Sequence, residues 1–335
     1  MPVSRLPILE FTSPPDDALR ASVAIPVRNE AQLIWRCLSS LALQTDLVGR
    51  PLDPSEYEVL LVLNNCTDDT AAAIAAFQME VPSLRLLTTS VRIPLPQAHV
   101  GTARRLAMDA GCRRLAGRDH RTTAILTTDA DTEVAPDWIA ANLAEIEDGA
   151  DAVAGRLDLE LQLNELPQPL GAAIRLHMHY ETLLHAATGR ARENHRGGRD
   201  HSHRFGNGAS IAVTPNAYRK TGGLPPLPFE EDVAFCRNVE AASLRLARSN
   251  RVRVRPALRL EGRALRGMAS TLAGWKAEVD AGREIRVPHP IDASLTPIPL
   301  GNAIKLLESL CGPVNATAGS AGPCDIDLSV AIPRA

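Results

Sequence analysis

Aromatic side chains are scarce, with Phe, Trp and Tyr making up 3% of 335 residues. That excludes a base-stacking platform and argues against a long glycan-stacking groove. Neither sign of charge dominates: a net charge of −3 and a pI near 6.3 leave no electrostatic footprint for a nucleic-acid partner. The six cysteines (Cys37, Cys66, Cys112, Cys236, Cys311 and Cys324) are scattered without a Cys-x-x-Cys pair. They read as reduced thiols of a cytoplasmic protein, not as a disulfide frame or a zinc site. Residues 1–17 are broken by Pro2, Pro7, Pro14 and Pro15 and lack the apolar core of a signal peptide. No uninterrupted apolar run reaches membrane-spanning length, so any expected membrane contact is peripheral. There is no internal repeat.

Strand and helix signals alternate along the first half of the chain. Ala21–Val27 is a short β-branched run, and Glu58–Leu63 is apolar after its first residue, as in a strand with both faces covered. Ala31–Leu43 carries Leu33, Ile34, Cys37, Leu38 and Leu41 at helical spacing, and an Ala-rich helix is expected after Thr70. A third strand over Leu84–Leu87, a helix over Gly101–Gly117, a strand over Thr123–Thr128 and a helix over Asp137–Glu147 follow. Four such alternations predict an α/β fold with a mostly parallel sheet and helices on both faces. Asp151–Gln162 reads as a further strand, Pro167–Ala187 as a long amphipathic stretch, Gly189–Arg204 as an Arg- and His-rich loop, and Gly206–Val213 as a glycine-led strand. A helix from Phe229 to about Ala242 and a half-exposed strand at Arg251–Arg255 come next. A helix over Thr271–Ala281 and a Pro-rich, partly disordered tail close the chain.

The chain's most informative stretch is Ala124-Ile-Leu-Thr-Thr-Asp129-Ala130-Asp131-Thr132. An apolar strand ends in two carboxylates spaced two apart, and in open α/β sheets ligands collect outside the carboxyl ends of strands. Carboxylate oxygens suit a hard divalent ion such as Mg²⁺ or Mn²⁺, shared with substrate phosphates and water. One Asp-x-Asp is expected by chance in roughly every chain of this length, so the pair needs company to count. The bland alternative is a polar turn capping a strand.

Company is present. Ile25-Pro26-Val27-Arg28-Asn29-Glu30 closes the first strand, Asn64-Asn65-Cys66-Thr67-Asp68-Asp69-Thr70 closes the second, and Gly101-Thr102-Ala103-Arg104-Arg105 with Ala110-Gly111 opens a helix. With Asp129-Ala130-Asp131 and Glu231-Asp232 they stand in the order in which the chain resembles the family-two glycosyltransferases, inverting enzymes of the GT-A (Rossmann-like) fold. The likeness covers about residues 20–242. It implies a nucleotide-sugar donor and a hydroxyl acceptor, whether small molecule, glycan or lipid-linked, and Mg²⁺ or Mn²⁺ at the diphosphate. It also implies Asp131, with Asp129, at the metal; Pro26, Val27, Arg28, Asn29, Glu30, Asn64, Asn65, Arg104, Asp129 and Ala130 around the nucleotide; and Asp232 as general base with Glu231 as substitute. Where the family's second strand usually ends in an Asp on the base, Leu63 stands here, leaving the base open. The implied organisation is an irregular lead-in at 1–19, a GT-A domain at 20–262 (nucleotide-binding half 20–155, acceptor-side half 156–262) and a C-terminal helix with a flexible tail at 263–335.

Each residue also has a plainer reading. Glu230, Glu231 and Asp232 could simply favour a helix dipole, by about 0.3–1 kcal/mol each. Arg28 and Glu30 could be a charged helix start, and Arg104 a surface residue. The Gly189–Arg204 loop could be a lid or merely long and polar. His201 and His203 lack further ligands, and His177, Glu181 and His185 share a helical face that zinc could use but that more often is packed or solvated. Arg251, Arg253 and Arg255 could be a wet strand face or favour an anionic acceptor or lipid headgroups. Two other functions compete: a sugar nucleotidyltransferase and a non-catalytic GT-A-like binding protein. The first needs a Gly-rich phosphate loop after the first strand, and Val27-Arg28-Asn29-Glu30-Ala31 has no glycine.

Overall fold

The computed structural model describes residues 6–196, 208–260, 268–291 and 295–311. In chain order the elements are β1 (Ala21–Val27), α1 (Ile34–Ala42), β2 (Tyr57–Asn64), α2 (Thr70–Glu80), β3 (Leu86–Val91), α3 (Val100–Arg114), β4 (Ala124–Thr127), β5 (Thr132–Val134), α4 (Trp138–Glu147) and β6 (Ala152–Leu157). Then come α5 (Glu160–Glu165), α6 (Gln168–Arg196), β7 (Ile211–Val213), α7 (Pro215–Lys220), α8 (Glu231–Ala241), β8 (Leu246–Pro256), α9 (Met268–Asp280), β9 (Arg286–Val287), β10 (Ile298–Pro299) and α10 (Leu300–Cys311). The chain divides into two compact units, one of residues 1–158, 205–257 and 263–267, the other of residues 159–204, 258–262 and 268–335.

The first unit is built on an eight-stranded, mostly parallel sheet of order β3-β2-β1-β4-β7-β6-β8-β5. β1 and β2 are buried at every position because helices cover both faces, which is why their sequences run apolar without alternation. β3 sits at the edge and is only partly buried, starting with Leu86. β7 runs antiparallel to both β4 and β6, and β8 runs parallel to β6. The double reversal points β1, β4, β6 and β8 the same way, so their carboxyl ends share one edge of the sheet. One face is packed by α1, α2 and α4 through Ile34, Cys37, Leu38, Phe77, Trp138 and Ile139. The other is packed by α3, α7 and α8 through Leu106, Ala107, Tyr218, Phe235 and Val239.

Residues 6–19 form no helix or strand, yet they are fastened to the sheet end remote from β4's carboxyl terminus. Arg113 donates to Leu9 O at 2.9 Å, Arg114 to Ser13 O at 2.9 Å and Arg118 to Asp17 O at 2.6 Å. Arg114 also grips the fully buried Glu58 of β2 with two hydrogen bonds, at 2.5 and 2.7 Å. A charge buried in a central strand survives only with such bidentate pairing.

Several expected boundaries move. The strand expected over Asp151–Gln162 ends at Leu157, after which Asp158 N–H bonds Val254 O and the chain turns into α5. The loop expected from Gly189 is helical through Arg196, since one interior glycine costs a helix only about 1 kcal/mol. Its remainder, with His201 and His203, lies outside the described residues, as do Gly206 and Asn207. The second unit has its own core. Tyr180 and Leu183 of α6 pack with Ile285, Val287, Leu300, Ala303, Ile304 and Leu307, so the segment beyond Ala281 includes an antiparallel β9–β10 pair and α10. There His177 lies against the Trp275 ring at 4.4 Å, a packed imidazole; the side chains of Glu181 and His185 lie outside the described residues. Among the described residues no helix is long and apolar enough to cross a membrane.

Candidate active site

The carboxyl edge of β4 carries the two aspartates on a tight turn, with Thr132 N–H bonding Asp129 O at 3.1 Å. The turn is pinned from both sides: Ala257 N–H reaches Asp131 O at 3.2 Å, and the buried Cys37 thiol lies 3.5 Å from Asp129 O. Burial beside these carboxylates drives the Cys37 thiol far above its ordinary pKa, so it is inert packing. Ala130 is buried at the apex, and Thr132 Oγ1 lies 3.4 Å from Asp131 Oδ1.

Arg104 is the centre of the arrangement. It stands on α3 with its side chain 2% exposed, which excludes the surface reading. Its guanidinium donates to Asp129 Oδ1 at 2.6 Å, Glu231 Oε1 at 3.1 Å, Thr127 Oγ1 at 3.1 Å and Gly208 O at 2.7 Å. One cation thereby ties the Asp-x-Asp turn of β4 to the acidic pair that opens α8. Burial works against its charge, but Asp129 and Glu231 more than compensate and hold its pKa above the ordinary value. The close fit needs Gly208: a Cβ there would lie 2.6 Å from Arg104 Nη2.

Asp232 turns the other way from Glu231. Its Oδ2 accepts from Gly208 N–H and its Oδ1 from Val233 N–H. Burial, helped by the negative charge of Glu231, raises its pKa above the usual carboxylate range, while the two N–H groups and Arg104 oppose the shift. A pair of acids serving only a helix dipole would be solvated; here the Glu231 side chain is 6% exposed. The residue before them, Glu230, sits in the left-handed region at φ 56°, a conformation costing about 1–3 kcal/mol that clusters at functional sites.

The N-terminal half of α3 carries the loop leading to that pair. His99 caps the helix by accepting Thr102 N–H at 3.4 Å, and one ring N–H faces the Leu227 carbonyl. Burial lowers the imidazole's pKa against the pull of Glu231, which keeps the ring the neutral acceptor that the cap requires. Arg105 donates to Leu224 O at 2.9 Å. At Gly101 an added Cβ would lie 2.0 Å from Leu227 O. Gly101→Ala is therefore expected to push the 224–229 loop off α3 at a cost of about 1–3 kcal/mol. The check is a lowered melting temperature with nucleotide binding retained; an unchanged melt would contradict this packing. His99, Thr127 and Gly208 were not among the sequence candidates, and only the small size of Gly208 hinted at a close approach.

On the other side of β4 the expected nucleotide residues split. Pro26 and Val27 are buried at the end of β1, and Arg28 is exposed, with Nη1 2.8 Å from Ala98 O. Asn29 binds the second turn, with Thr67 N–H donating to its Oδ1 at 2.7 Å and its Nδ2 donating to Thr67 Oγ1 at 3.1 Å. The buried Glu30 takes Thr70 Oγ1 on its N–H at 2.7 Å. Asn65 imitates a strand residue, exchanging hydrogen bonds of 3.0 and 2.8 Å with the carbonyl and N–H of Ile93. Asn29 and Asn65 both adopt positive φ, 53° and 50°, which asparagine tolerates. Asn64 is 2% exposed, and its Oδ1 lacks a hydrogen-bond partner among the described residues. Leu63 faces the core.

Among the described residues no three His, Cys, Asp or Glu side chains converge as a metal cage. Asp131 with the second oxygen of Asp129 offers a sparse set of hard oxygens, which fits an ion that takes its other ligands from substrate phosphates and water.

A family model described as "Glycosyl transferase family 2" matches residues 22–194, just over half of the chain, and ends before Glu231 and Asp232. Among solved structures, the mannosyltransferase PcManGT from Pyrobaculum calidifontis in complex with GDP-Man and Mn2+ is 19% identical, with 84% of this chain and 70% of that one covered and a TM-score of 0.50. S. aureus TarS 1-349 in complex with UDP-GlcNAc is 16% identical, with 82% and 70% covered and a TM-score of 0.49. No curated protein matches the chain.

Proposed function

The chain belongs to glycosyl transferase family 2, and from that premise we propose that it moves a sugar from a nucleotide-sugar donor to an acceptor hydroxyl by one inverting displacement. The observation that carries this reading is the Arg104 bridge, which joins the Asp129 carboxylate to the acidic pair Glu231-Asp232 within one buried network. Asp232 accepts the acceptor hydroxyl's proton as its oxygen bonds the anomeric carbon, while the bond from that carbon to the diphosphate breaks on the opposite face. A carboxylate with a raised pKa is a stronger base for that task than an ordinary aspartate. Glu231, committed to Arg104, positions Asp232; it does not take the proton.

Asp131 and Asp129 would hold Mg²⁺ or Mn²⁺, and Mn2+ in the complex of the Pyrobaculum neighbour favours the same chemistry. Such an ion, when bound, offsets the charge growing on the leaving diphosphate. Arg28, Asn64 and the β1 and β2 turns line the nucleotide side in this reading. The donor's base is left open by the packed Leu63. The nucleotidyltransferase alternative is disfavoured by the glycine-free turn after β1, and the non-catalytic one by the cost of burying Asp232 without using it.

Calorimetric titration of UDP, GDP, dTDP and ADP, each with and without Mn²⁺, tests the donor side. One diphosphate is expected to bind the wild type only with metal, and Asp131→Ala is expected to weaken it 10- to 100-fold. A folded wild type that binds none of the four would remove the donor site and the reaction with it.

A further inference from the structure

The sheet face that carries the candidate base continues, two strands further along, into arginines that the reaction as described does not use. Ala154 of β6 pairs in register with Ile211 of β7, whose side chain belongs to the core under α3 and α8. The β6–β8 ladder shifts register between Gly155 and Arg156; beyond the shift Leu157 packs against the opposite core, so its neighbour Arg156 stands on the Ile211 face at the carboxyl end of β6. On β8, Val252 and Val254 point into the opposite core, which places Arg253 and Arg255 on the same face as Arg156. Arg156 and Arg253 are direct partners in the β6–β8 ladder. The edge is the functional one. Gly155 N–H bonds Ser210 O next to the Gly208 that holds Asp232, and Ala257, just past β8, bonds Asp131 O.

Like charges side by side on neighbouring strands destabilise a sheet. The neighbouring acids offset them only in part: Arg253 has Asp137 at 3.6 Å and Arg255 has Asp158 at 3.7 Å. The Nε atoms of Arg156 and Arg253 are both closed off from solvent and have no hydrogen-bond partner among the described residues. Two arginines paired across neighbouring strands and only partly neutralised, at the sheet edge where the base receives a hydroxyl, match the planar oxygens of a phosphate or carboxylate.

From this we infer that Arg156 and Arg253 form an anion-binding subsite on the acceptor side, so that the acceptor is a hydroxyl compound bearing a phosphate or carboxylate group. The assignment of the anion to the acceptor rests on the transferase reading; the subsite itself does not. Its seat is remote from the β1 and β2 turns expected to hold the nucleotide, which separates it from the donor diphosphate.

The test is calorimetric titration of the full-length chain with inorganic phosphate, and separately with acetate, in metal-free buffer. One-site binding is expected, weakened at least tenfold in Arg156→Gln and in Arg253→Gln, kept within threefold in Arg156→Lys and unchanged in Asp131→Ala. Stronger binding of phosphate or of acetate decides between a phosphoryl and a carboxylate acceptor. Arg156→Gln should melt at the wild-type temperature or above, because it relieves a like-charge pair. The subsite is overturned if the wild type binds neither anion, if Arg156→Gln binds as the wild type does, or if Asp131→Ala abolishes binding. Failure of the donor reading would appear separately, in the nucleotide titrations.

Discussion

Asp232→Asn should abolish transfer while leaving the protein folded and the donor bound. Removing a positioned general base costs about 10²- to 10⁴-fold in rate, and Asp232 has no part in the donor-side turns. Its burial makes the stability outcome specific. The folded-state pKa is raised, so this carboxyl favours folding at low pH, and that contribution is lost as pH rises through the folded pKa. At neutral pH the ionised side chain is a cost that asparagine removes. Asparagine, however, has one oxygen for two N–H donors, Gly208 and Val233, and loses about 1 kcal/mol of hydrogen bonding there. The two effects oppose each other, and the melting temperature should move little. The wild-type rate should fall on the acid side at a pH above the usual carboxylate range, since protonating Asp232 removes the base. Steady-state rates across pH, with a thermal melt of the variant, check both. An active Asp232→Asn enzyme would transfer the role elsewhere, and a variant that fails to fold would make Asp232 structural.

How much of this was readable beforehand depended on whether the determinant was local. β1, β2 and β4 are fully covered strands, and burial on both faces leaves an unbroken apolar run that marks them by itself. The stripe Ile34, Cys37, Leu38 and Leu41 likewise records the buried face of α1. β7 is three residues long, too short for a periodic signal, so its reversal of direction was legible only through its partners Ile125 and Ala154. The resemblance places Asn29 and Asn65 around the nucleotide; that each also replaces a backbone partner at a strand end is a role set by Thr67 and Ile93, which the local sequence does not carry. Arg104 shows the limit most clearly. In the sequence it is one of four arginines in α3, set apart from Arg113 only by the Gly101–Arg105 stretch that implies a place near the nucleotide, and nothing in that stretch points to Glu231. Its partner Glu231 lies 127 residues away, and only the folded sheet brings the two together.

Arg104 should accordingly be the costliest single position in the site. Arg104→Met removes a fully buried cation and strands Glu231 beside the already strained Glu230, which by precedent for broken buried ion pairs costs about 3–5 kcal/mol. Asp129 is 35% exposed and can regain water; Glu231, at 6%, cannot, so most of the penalty belongs to it. Neutralising it should recover part of the loss: Arg104→Met with Glu231→Gln should be more stable than Arg104→Met alone, a coupling that a double-mutant cycle of denaturant midpoints measures. Arg104→Lys tests geometry apart from charge. A lysine ammonium has three donors at one point and cannot span four acceptors contributed by β4, the Gly208 backbone and α8. It should therefore keep more stability than methionine yet lose transfer activity, because Asp129 and the acidic pair are no longer held by one rigid fork. If Arg104→Met melts as the wild type does, the four hydrogen bonds are not a linchpin, and the link between donor and acceptor carboxylates must be sought in the backbone alone.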